Sequence, residues 1–398
     1  MPGSRARTAL SVPALALGTL LGAAAAALLA VASSAPAGEV MPKIHGRLLD
    51  EAAGPITDIG FHYVSRATPI TDRIYADFLT TLDPRTRLYA LVSPSRDGLD
   101  PAAELRAFLR RLPQGEALLA RTRVVTASGP ISPWSKDRAL VTSGRSTELL
   151  LPAEPSGPGP LRRADWMTPI DLARTNPGQL RATILPLDFD AGDFAVTGDR
   201  LLVDANLIAK NGGRGIDSPE KLARVLAQVF AMQVTVLGTR PGDVPRHHLS
   251  MYLTPLTGQT VLVGDPQAGR QLVGDAFRPG EVNPDTGEAL TADFSAATQA
   301  RYDRAVSDLT RAGFRVVRIP TVPFDDKTYL AYTNGVFETR GDRRIAWVPV
   351  FDVPALDRAA LAVYAELGWE TRAVPSRAAF PYHGTLGCLV NVLARQKG

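Results

Sequence analysis

Apolar and polar positions along this chain follow two alternating periods. Residues 87–93 (RLYALVS) form a short, mostly apolar run that is typical of a buried strand. The segment opened by Asp100 and Pro101 carries apolar side chains at helical spacing, among them Leu105 and Phe108. Hairpin, helix and strand recur in this order about five times, without a visible sequence repeat. This order predicts a mixed α/β chain arranged as a propeller-like ring of small units, and it does not fit a doubly wound sheet.

Glycine and proline mark the ends of several predicted elements. Gly198 and Asp199 predict the turn of a hairpin, and Gly313 ends a helix predicted over residues 295–312. Residues 151–178 are rich in Pro and Gly, so they predict a long surface loop.

The N-terminus predicts export. Two arginines precede an uncharged run over residues 11–34, and Ala-Pro-Ala at residues 35–37 is a small-x-small cleavage site before Gly38. Residues 1–37 are therefore predicted to be a signal peptide, with an uncleaved membrane anchor as the alternative. The mature protein is expected to be secreted or periplasmic. Residues 38–85 are predicted to form an N-terminal extension, and residues 86–398 one catalytic domain.

Charge and cysteine content narrow the function classes. The net charge is +4 over 398 residues, and the arginines are scattered without a cluster that includes aromatics, so nucleic-acid binding has little support. Cys388 is the only cysteine, which leaves either a buried core thiol or a thiol kept for chemistry. None of the five histidines has metal-binding spacing, so no metal site is predicted.

Four short segments combine polar chemistry with a position next to a predicted strand. They are Trp134–Asp137, Asp190–Asp193, His248–Ser250 and the glycine-rich segment Gly384–Cys388. Each segment belongs to a different predicted unit. If the units form a ring, these segments converge on its axis.

The order of these segments resembles the guanidinium-modifying enzymes of the pentein fold, which include agmatine, arginine and peptidyl-arginine deiminases, dimethylarginine hydrolases and amidinotransferases. The resemblance extends from about residue 87 to the C-terminus. It implies a pentein-type α/β propeller of about five ββαβ-like units. It also implies that Cys388 is the nucleophile, that His248 is the general acid/base, and that Asp190 is the acidic catalytic residue.

The resemblance further implies a substrate-binding role for Asp137. Asp193, Trp134, Ser250 and Asn334 are expected to face the same site. Ser250 stands where deiminases usually have a second aspartate.

Two other departures from the family pattern are visible. Lys136 replaces the usual arginine before Asp137, and the cysteine loop is GTLGC, where agmatine deiminases have GGGxHC. His383 is an alternative acid/base, whereas His247 is interpreted as a neighbour of His248.

The implied chemistry needs no metal or organic cofactor. Carboxylates would hold the planar guanidinium by paired hydrogen bonds, and a thiolate would attack its central carbon. The expected function is hydrolysis of a guanidinium C–N bond, with a small guanidinium compound or peptidyl-arginine as substrate and with no nucleic-acid or membrane partner after signal removal. The alternatives are an amidinotransferase and a non-catalytic binding protein on the same fold.

Overall fold

The computed structural model describes residues 41–144 and 146–396, so the predicted signal peptide lies outside the described residues. The strands are β1 (Arg47–Leu48), β2 (Ile56–Tyr63), β3 (Arg87–Val92), β4 (Thr122–Thr126), β5 (Leu140–Ser143), β6 (Thr147–Leu151), β7 (Leu180–Ile184), β8 (Ala195–Thr197), β9 (Arg200–Asp204), β10 (Gln233–Leu237), β11 (Leu253–Pro255), β12 (Thr260–Asp265), β13 (Arg315–Pro320), β14 (Val322–Pro323), β15 (Tyr329–Leu330), β16 (Val336–Arg340), β17 (Arg343–Val350), β18 (Glu370–Pro375) and β19 (Val390–Arg395).

Helices connect these strands. They are α1 (Thr68–Leu79), α2 (Pro101–Arg111), α3 (Gly115–Ala120), α4 (Pro160–Thr175), α5 (Asn206–Asn211), α6 (Pro219–Phe230), α7 (Pro266–Val273), α8 (Ala296–Arg311), α9 (Pro354–Glu366) and α10 (Leu386–Leu389). Within the described residues, no helix is both long enough and apolar enough to cross a membrane. The mixed α/β composition expected from the sequence is confirmed.

One arrangement of strands and helices occurs five times. An antiparallel pair is followed by a helix and by a strand that lies parallel to the second strand of the pair. A crossover helix is the usual way to join parallel strands. The five units are β5-β6-α4-β7, β8-β9-α6-β10, β11-β12-α8-β13, β16-β17-α9-β18 and β19-β2-α1-β3.

The fifth unit joins strands from early and late parts of the described chain. Its outer strand β19 is the last strand described, and it pairs antiparallel with β2 near the N-terminus. In addition, β1 pairs with β5 of another unit. The boundary predicted at residue 85 therefore falls between α1 and β3, inside one unit, and residues 47–83 contribute strands and a helix to the main fold.

The apolar cores lie between neighbouring units. Strand β4 pairs with β3 and extends the sheet of the fifth unit. Helix α8 packs on β10, α9 on β13, α1 on β18 and α4 on β4, so these helices contact a strand in the sheet of an adjacent unit. One core combines strands β9 and β12 with helix α8 through Leu202, Val261 and Tyr302, all of which are buried. Each unit is thus stabilised mainly by apolar surface that its neighbour covers.

The surface loop predicted over residues 151–178 is wrong, because helix α4 occupies residues 160–175. Pro160 stands in the first turn, where a missing N–H costs nothing. Pro169 lies inside the helix and cannot donate to the carbonyl of Asp165, but the hydroxyl of Thr168 donates to that carbonyl at 2.6 Å. A side chain therefore replaces the lost bond, and proline content alone misled the sequence interpretation.

The pairing of β19 with β2 gives a prediction about stability. Leu393 in β19 is 2% exposed and packs against the backbone at Gly60 of β2. We expect Leu393→Ala to lower the free energy of unfolding by about 2–5 kcal/mol, because it leaves a cavity in the core that Leu393 shares with Leu91 and Leu149. The matched control is Leu272→Ala, at a leucine that is 39% exposed, with an expected loss below about 1 kcal/mol. Urea unfolding followed by fluorescence measures both, and equal losses would contradict this role of β19.

Candidate active site

A single cleft of about 910 Å³ brings together most of the predicted site residues. Its lining includes Trp134, Asp137, Asp190, Asp193, His248 and Cys388. These residues belong to segments that precede strands of different units, together with the loop before β19. The packing of the units thus brings residues that are far apart in the sequence close together in space.

His248 is buried at the centre of this group. It precedes a short 3-10 turn, Leu249–Met251, and β11 begins only at Leu253, so a turn separates His248 from the strand. The preceding residue, His247, has a φ of 72°, in the left-handed region that non-glycine residues seldom adopt. Its ring stacks on that of His248, with a centroid distance of 4.1 Å.

Two carboxylates face the imidazole of His248. Its Nδ1 lies 3.3 Å from Oδ1 of Asp137, and its Nε2 lies 3.8 Å from Oδ2 of Asp190. The first contact is an ion pair without hydrogen-bond geometry, since both of its atoms are buried and make no hydrogen bond among the described residues. At this contact Asp137 therefore acts on His248 through its charge and not through a hydrogen bond.

The surroundings of His248 favour its charged form. Burial alone would lower its pKa, but Asp137, then Asp190 and Cys388, raise the pKa of His248 well above its usual value. Burial alone would raise the pKa of Asp190, yet His248 and Lys210 hold it well below its usual value. Burial raises the pKa of Asp137, although the nearby His248 and Arg138 act to lower it. At neutral pH the site thus holds an imidazolium next to an ionised Asp190.

Contacts with neighbouring side chains hold Asp137 in place. It belongs to the 3-10 turn Lys136–Arg138, and the buried Arg138 guanidinium lies 3.5 Å from its carboxylate. Arg138 also lies 3.9 Å from Asp165 of helix α4, and its Nε donates to the carbonyl of Trp134. Asp165 in turn accepts hydrogen bonds at 2.7 Å from both the N–H and the hydroxyl of Ser132. The helix that the sequence interpretation missed therefore anchors the loop that carries Asp137.

The Asp190–Asp193 segment forms another 3-10 turn. Its glycine, Gly192, is required by the close approach of the His248 ring. A Cβ added to Gly192 would lie 2.5 Å from Cγ of His248, so any side chain here would displace the imidazole. The turn is closed by a hydrogen bond from the backbone N–H of Asp190 to Oδ2 of Asp193 at 2.9 Å. This close packing brings the Asp190 carboxylate to the edge of the His248 ring.

Lys210 bridges the two aspartates of this turn. Its Nζ lies 2.6 Å from Oδ2 of Asp193 and 2.9 Å from Oδ2 of Asp190. Although burial would lower it, these carboxylates raise the pKa of Lys210 above its usual value. Lys210 stands on helix α5 and is surrounded by no recognisable motif, so no pattern in the sequence indicated its place in the site.

The glycine-rich segment positions Cys388, which is 3% exposed and next to His248 in space. A Cβ on Gly384 would lie 2.6 Å from the ring of Trp134, and a Cβ on Gly387 would lie 2.8 Å from Oδ1 of Asn334. The two glycines thus let the cysteine loop approach its neighbours closely.

Asn334 and Ser250 lie behind Cys388 and do not line the cleft. The side-chain amide of Asn334 donates to Sγ of Cys388 at 3.2 Å and to Oγ of Ser250 at 2.9 Å. Its Oδ1 accepts from the hydroxyl of Thr385 at 2.9 Å. The structure therefore places these two residues as supports of the thiol, and it does not place them against a substrate.

His383 lines the cleft, but its ring is engaged elsewhere. Its Nδ1 lies 2.9 Å from the hydroxyl of Thr328, and its Nε2 lies 3.1 Å from Oδ2 of Asp285. Its backbone carbonyl contacts the ring of His247 at 2.9 Å. Between the two candidate bases, the geometry favours His248.

Asp190, Asp193 and His248 also have the spacing of metal ligands, with one ligand atom of each within 4.8 Å of the others. The ammonium of Lys210 already contacts both carboxylates. A metal cation at this position would be repelled by Lys210 and by the charged His248, so the donor set does not fit a metal ion.

Comparison with known proteins shows which solved structures have a similar fold. No protein-family model and no curated protein sequence matches the chain. Among solved structures, the agmatine deiminase of C. jejuni is similar over 87% of this chain and 95% of its own, with a TM-score of 0.60 and 13% identity. A proposed peptidyl-arginine deiminase covers the same share of this chain and 97% of its own, with a TM-score of 0.59 and 14% identity.

The agmatine deiminase of Enterococcus faecalis is similar at a TM-score of 0.58 and 12% identity, over 87% of this chain and 94% of its own. Identities this low establish the fold alone. The chain has the mixed α/β fold of the pentein-type deiminases, as the resemblance of its sequence motifs implied.

The contact between Asp137 and His248 gives a prediction about pH. Asp137→Asn removes the charge that most strongly raises the pKa of His248, so we expect that pKa to fall toward or below 6.5. Titration of the five histidines by NMR measures the shift. The matched control is Asp285→Asn, which removes a carboxylate next to His383 and should leave His248 unchanged. If both variants leave the pKa of His248 unchanged, Asp137 does not determine its charge.

Proposed function

We propose that this protein is a hydrolase of guanidinium C–N bonds that uses Cys388 as its nucleophile and His248 as its general acid and base. The observation that carries the proposal is the convergence of a thiol, an imidazolium and two carboxylates in one cleft. The fold shared with agmatine deiminases supports the same class of reaction.

Substrate binding uses the acceptors that the site leaves open. Oδ1 of Asp137 is buried against His248, so Oδ2, which lies 3.5 Å from Arg138, is the oxygen of this cleft-lining carboxylate that can accept a guanidinium N–H. Asp190 retains further lone pairs beside its contacts with Lys210 and His248. Two carboxylates on one side of a planar cation would fix its plane, which orients the central carbon for attack.

The first chemical step forms a bond between sulfur and carbon. The thiolate of Cys388 attacks the central carbon of the guanidinium, stabilised by the hydrogen bond from Asn334 and by the adjacent imidazolium. The C–N bond then breaks, and His248 gives its proton to the departing amine. The product of this step is a thiouronium ester of Cys388 and a neutral His248.

The second step consumes water. Neutral His248 takes a proton from water, whose oxygen attacks the same carbon, and the C–S bond breaks with the electron pair returning to Cys388. The second proton of that water, carried on the new hydroxyl, is released to solvent as the ureido product leaves, and the imidazolium and thiolate are restored. Asp137 and Asp190 stabilise the imidazolium at the start and at the end of the cycle, which explains why the base needs two carboxylates.

Selective labelling of Cys388 tests the proposal. Because Cys388 is the only thiol, the modification site is unambiguous. We expect 2-chloroacetamidine, whose amidinium imitates the substrate cation, to react faster than neutral 2-chloroacetamide by about tenfold or more, after each rate is normalised to that of free cysteine. Asp137→Asn should abolish this preference while the thiol remains, and Cys388→Ser should abolish labelling and turnover.

The control is labelling of the same protein in urea, where both reagents should react at the rates of free cysteine. A thiol that is labelled only after denaturation would indicate a buried core cysteine. The hydrolase proposal would then fail, and a binding protein on the same fold would become the better interpretation.

The order of the units supports a ring-like arrangement, and we propose a propeller as the architecture. Helices α8, α9, α1 and α4 each pack on a strand of an adjacent unit, while helix α6 shares a core with Leu150 of β6 through Leu222 and Leu226. These contacts connect the five units in a cycle. Pairing of β19 with β2 would close the cycle at the point where the chain ends meet.

We also propose that the protein is exported and cleaved after Ala37, on the evidence of the uncharged run and the Ala-Pro-Ala sequence before Gly38. We expect the exported protein to begin at Gly38. Intact-mass measurement of the secreted or periplasmic fraction decides this. Changing Ala35 and Ala37 to bulky residues should block cleavage, because the small residues are what a signal peptidase requires. Full-length protein in the membrane fraction of the unchanged chain would favour the anchor instead.

A further inference from the structure

The cleft contains more basic than acidic side chains. Its acidic lining residues are Asp137, Asp190, Asp193 and Asp285, and its basic lining residues are Arg138, Arg162, Lys210, Arg246 and Lys327. The protonated His248 adds a further positive charge. A site that selects a doubly charged cation would be expected to have the opposite balance.

Every acidic side chain in this lining already has a positively charged or potentially charged partner. Asp137 contacts His248 and Arg138, the pair Asp190 and Asp193 contacts Lys210, and Asp285 contacts His383. These partners leave acceptor atoms for one guanidinium at the buried end of the cleft. They leave no unpaired carboxylate for a second cation.

Two basic side chains of the lining have no anionic partner among the described residues, namely Arg162 and Lys327. Arg162 is half-buried in the first turn of helix α4, and Lys327 is exposed in the loop before β15. The backbone N–H of Lys327 is fixed by a hydrogen bond to Asp325 at 2.7 Å. By contrast, Arg246 pairs with Asp326 at 2.8 Å. The uncompensated charge of the cleft is therefore positive and comes from helix α4 and from the loop before β15.

We propose that the substrate is an ω-guanidino acid, a compound with a guanidinium at one end and a carboxylate at the other, and that Arg162 and Lys327 bind the carboxylate. The proposal rests on the proposed hydrolase function and deepens it. A carboxylate would gain charge-assisted hydrogen bonds from an arginine fork and a lysine ammonium. The primary ammonium of agmatine would meet the same two cations without a carboxylate to compensate them.

A matched pair of substrates tests the inference. In 4-guanidinobutanoate a carboxylate takes the place of the terminal CH₂–NH₃⁺ of agmatine, so the two compounds have nearly equal length and differ in charge. We expect kcat/KM for ureido formation to be higher for 4-guanidinobutanoate by about tenfold or more, the effect of one charged hydrogen bond. The advantage should decrease with added salt, because Lys327 is exposed.

Variants assign the effect to the two residues. The double substitution Arg162→Gln with Lys327→Gln should lower kcat/KM for 4-guanidinobutanoate about tenfold or more and leave agmatine unchanged or improved. The matched control is Arg106→Gln, at an exposed arginine of helix α2 outside the cleft, which should leave both values unchanged. Equal losses for both substrates in the double variant would overturn the assignment.

The outcomes separate this inference from the proposed function. Faster turnover of agmatine than of 4-guanidinobutanoate would overturn the inference and leave the hydrolase proposal intact. If neither compound is hydrolysed and Cys388 shows no amidinium preference, the proposed function fails. In that case, calorimetry on Cys388→Ser protein decides whether the cleft binds a carboxylate. Tighter binding of agmatine would overturn the inference, and tighter binding of 4-guanidinobutanoate would support it.

Discussion

The charged imidazole of His248, buried between Asp137 and Asp190, is the constraint on which the candidate site depends. A buried cation is costly unless anions compensate it at close range, and two carboxylates do so here. The two carboxylates repel each other, so positively charged neighbours must in turn hold them in place. Arg138 lies behind Asp137, and Lys210 bridges Asp190 and Asp193. The site is therefore a network of alternating charges, in which each member is needed by the next.

Close approach is the second requirement of this network, and glycine provides it. Gly192 allows the aspartate turn to lie against the His248 ring, while Gly384 and Gly387 allow the cysteine loop to lie against Trp134 and Asn334. Helix α4 contributes through Asp165, which fixes the loop before Asp137 from outside the cleft. Much of the precision of the site thus comes from backbone packing and from residues that no substrate would touch.

The charged side chains that line the cleft differ in whether a partner of opposite charge compensates them. Near Cys388 the carboxylates still offer acceptor atoms, whereas the unpaired side chains of the lining, Arg162 and Lys327, are both cations. A fold shared with agmatine deiminases does not by itself determine the second charged group of a substrate, because that group contacts loops and helix ends that vary independently of the sheets. In this protein the evidence on substrate specificity comes from side chains in loops and at helix ends more than from the fold.

The sequence by itself determined the local elements and the types of residue that carry chemistry. Local sequence predicted α2 and α8, and four short motifs pointed to Asp137, Asp190, His248 and Cys388, because periodicity and motif content are properties of neighbouring residues. It failed for α4, where the hydroxyl of Thr168 compensates a proline that would otherwise interrupt a helix. Only the tertiary structure decided that Asn334 and Ser250 support the thiol, that Lys210 joins the aspartates, and that Arg162 and Lys327 share one cleft. These contacts join residues far apart in the chain, and their geometry follows from how the units pack, which no local pattern encodes.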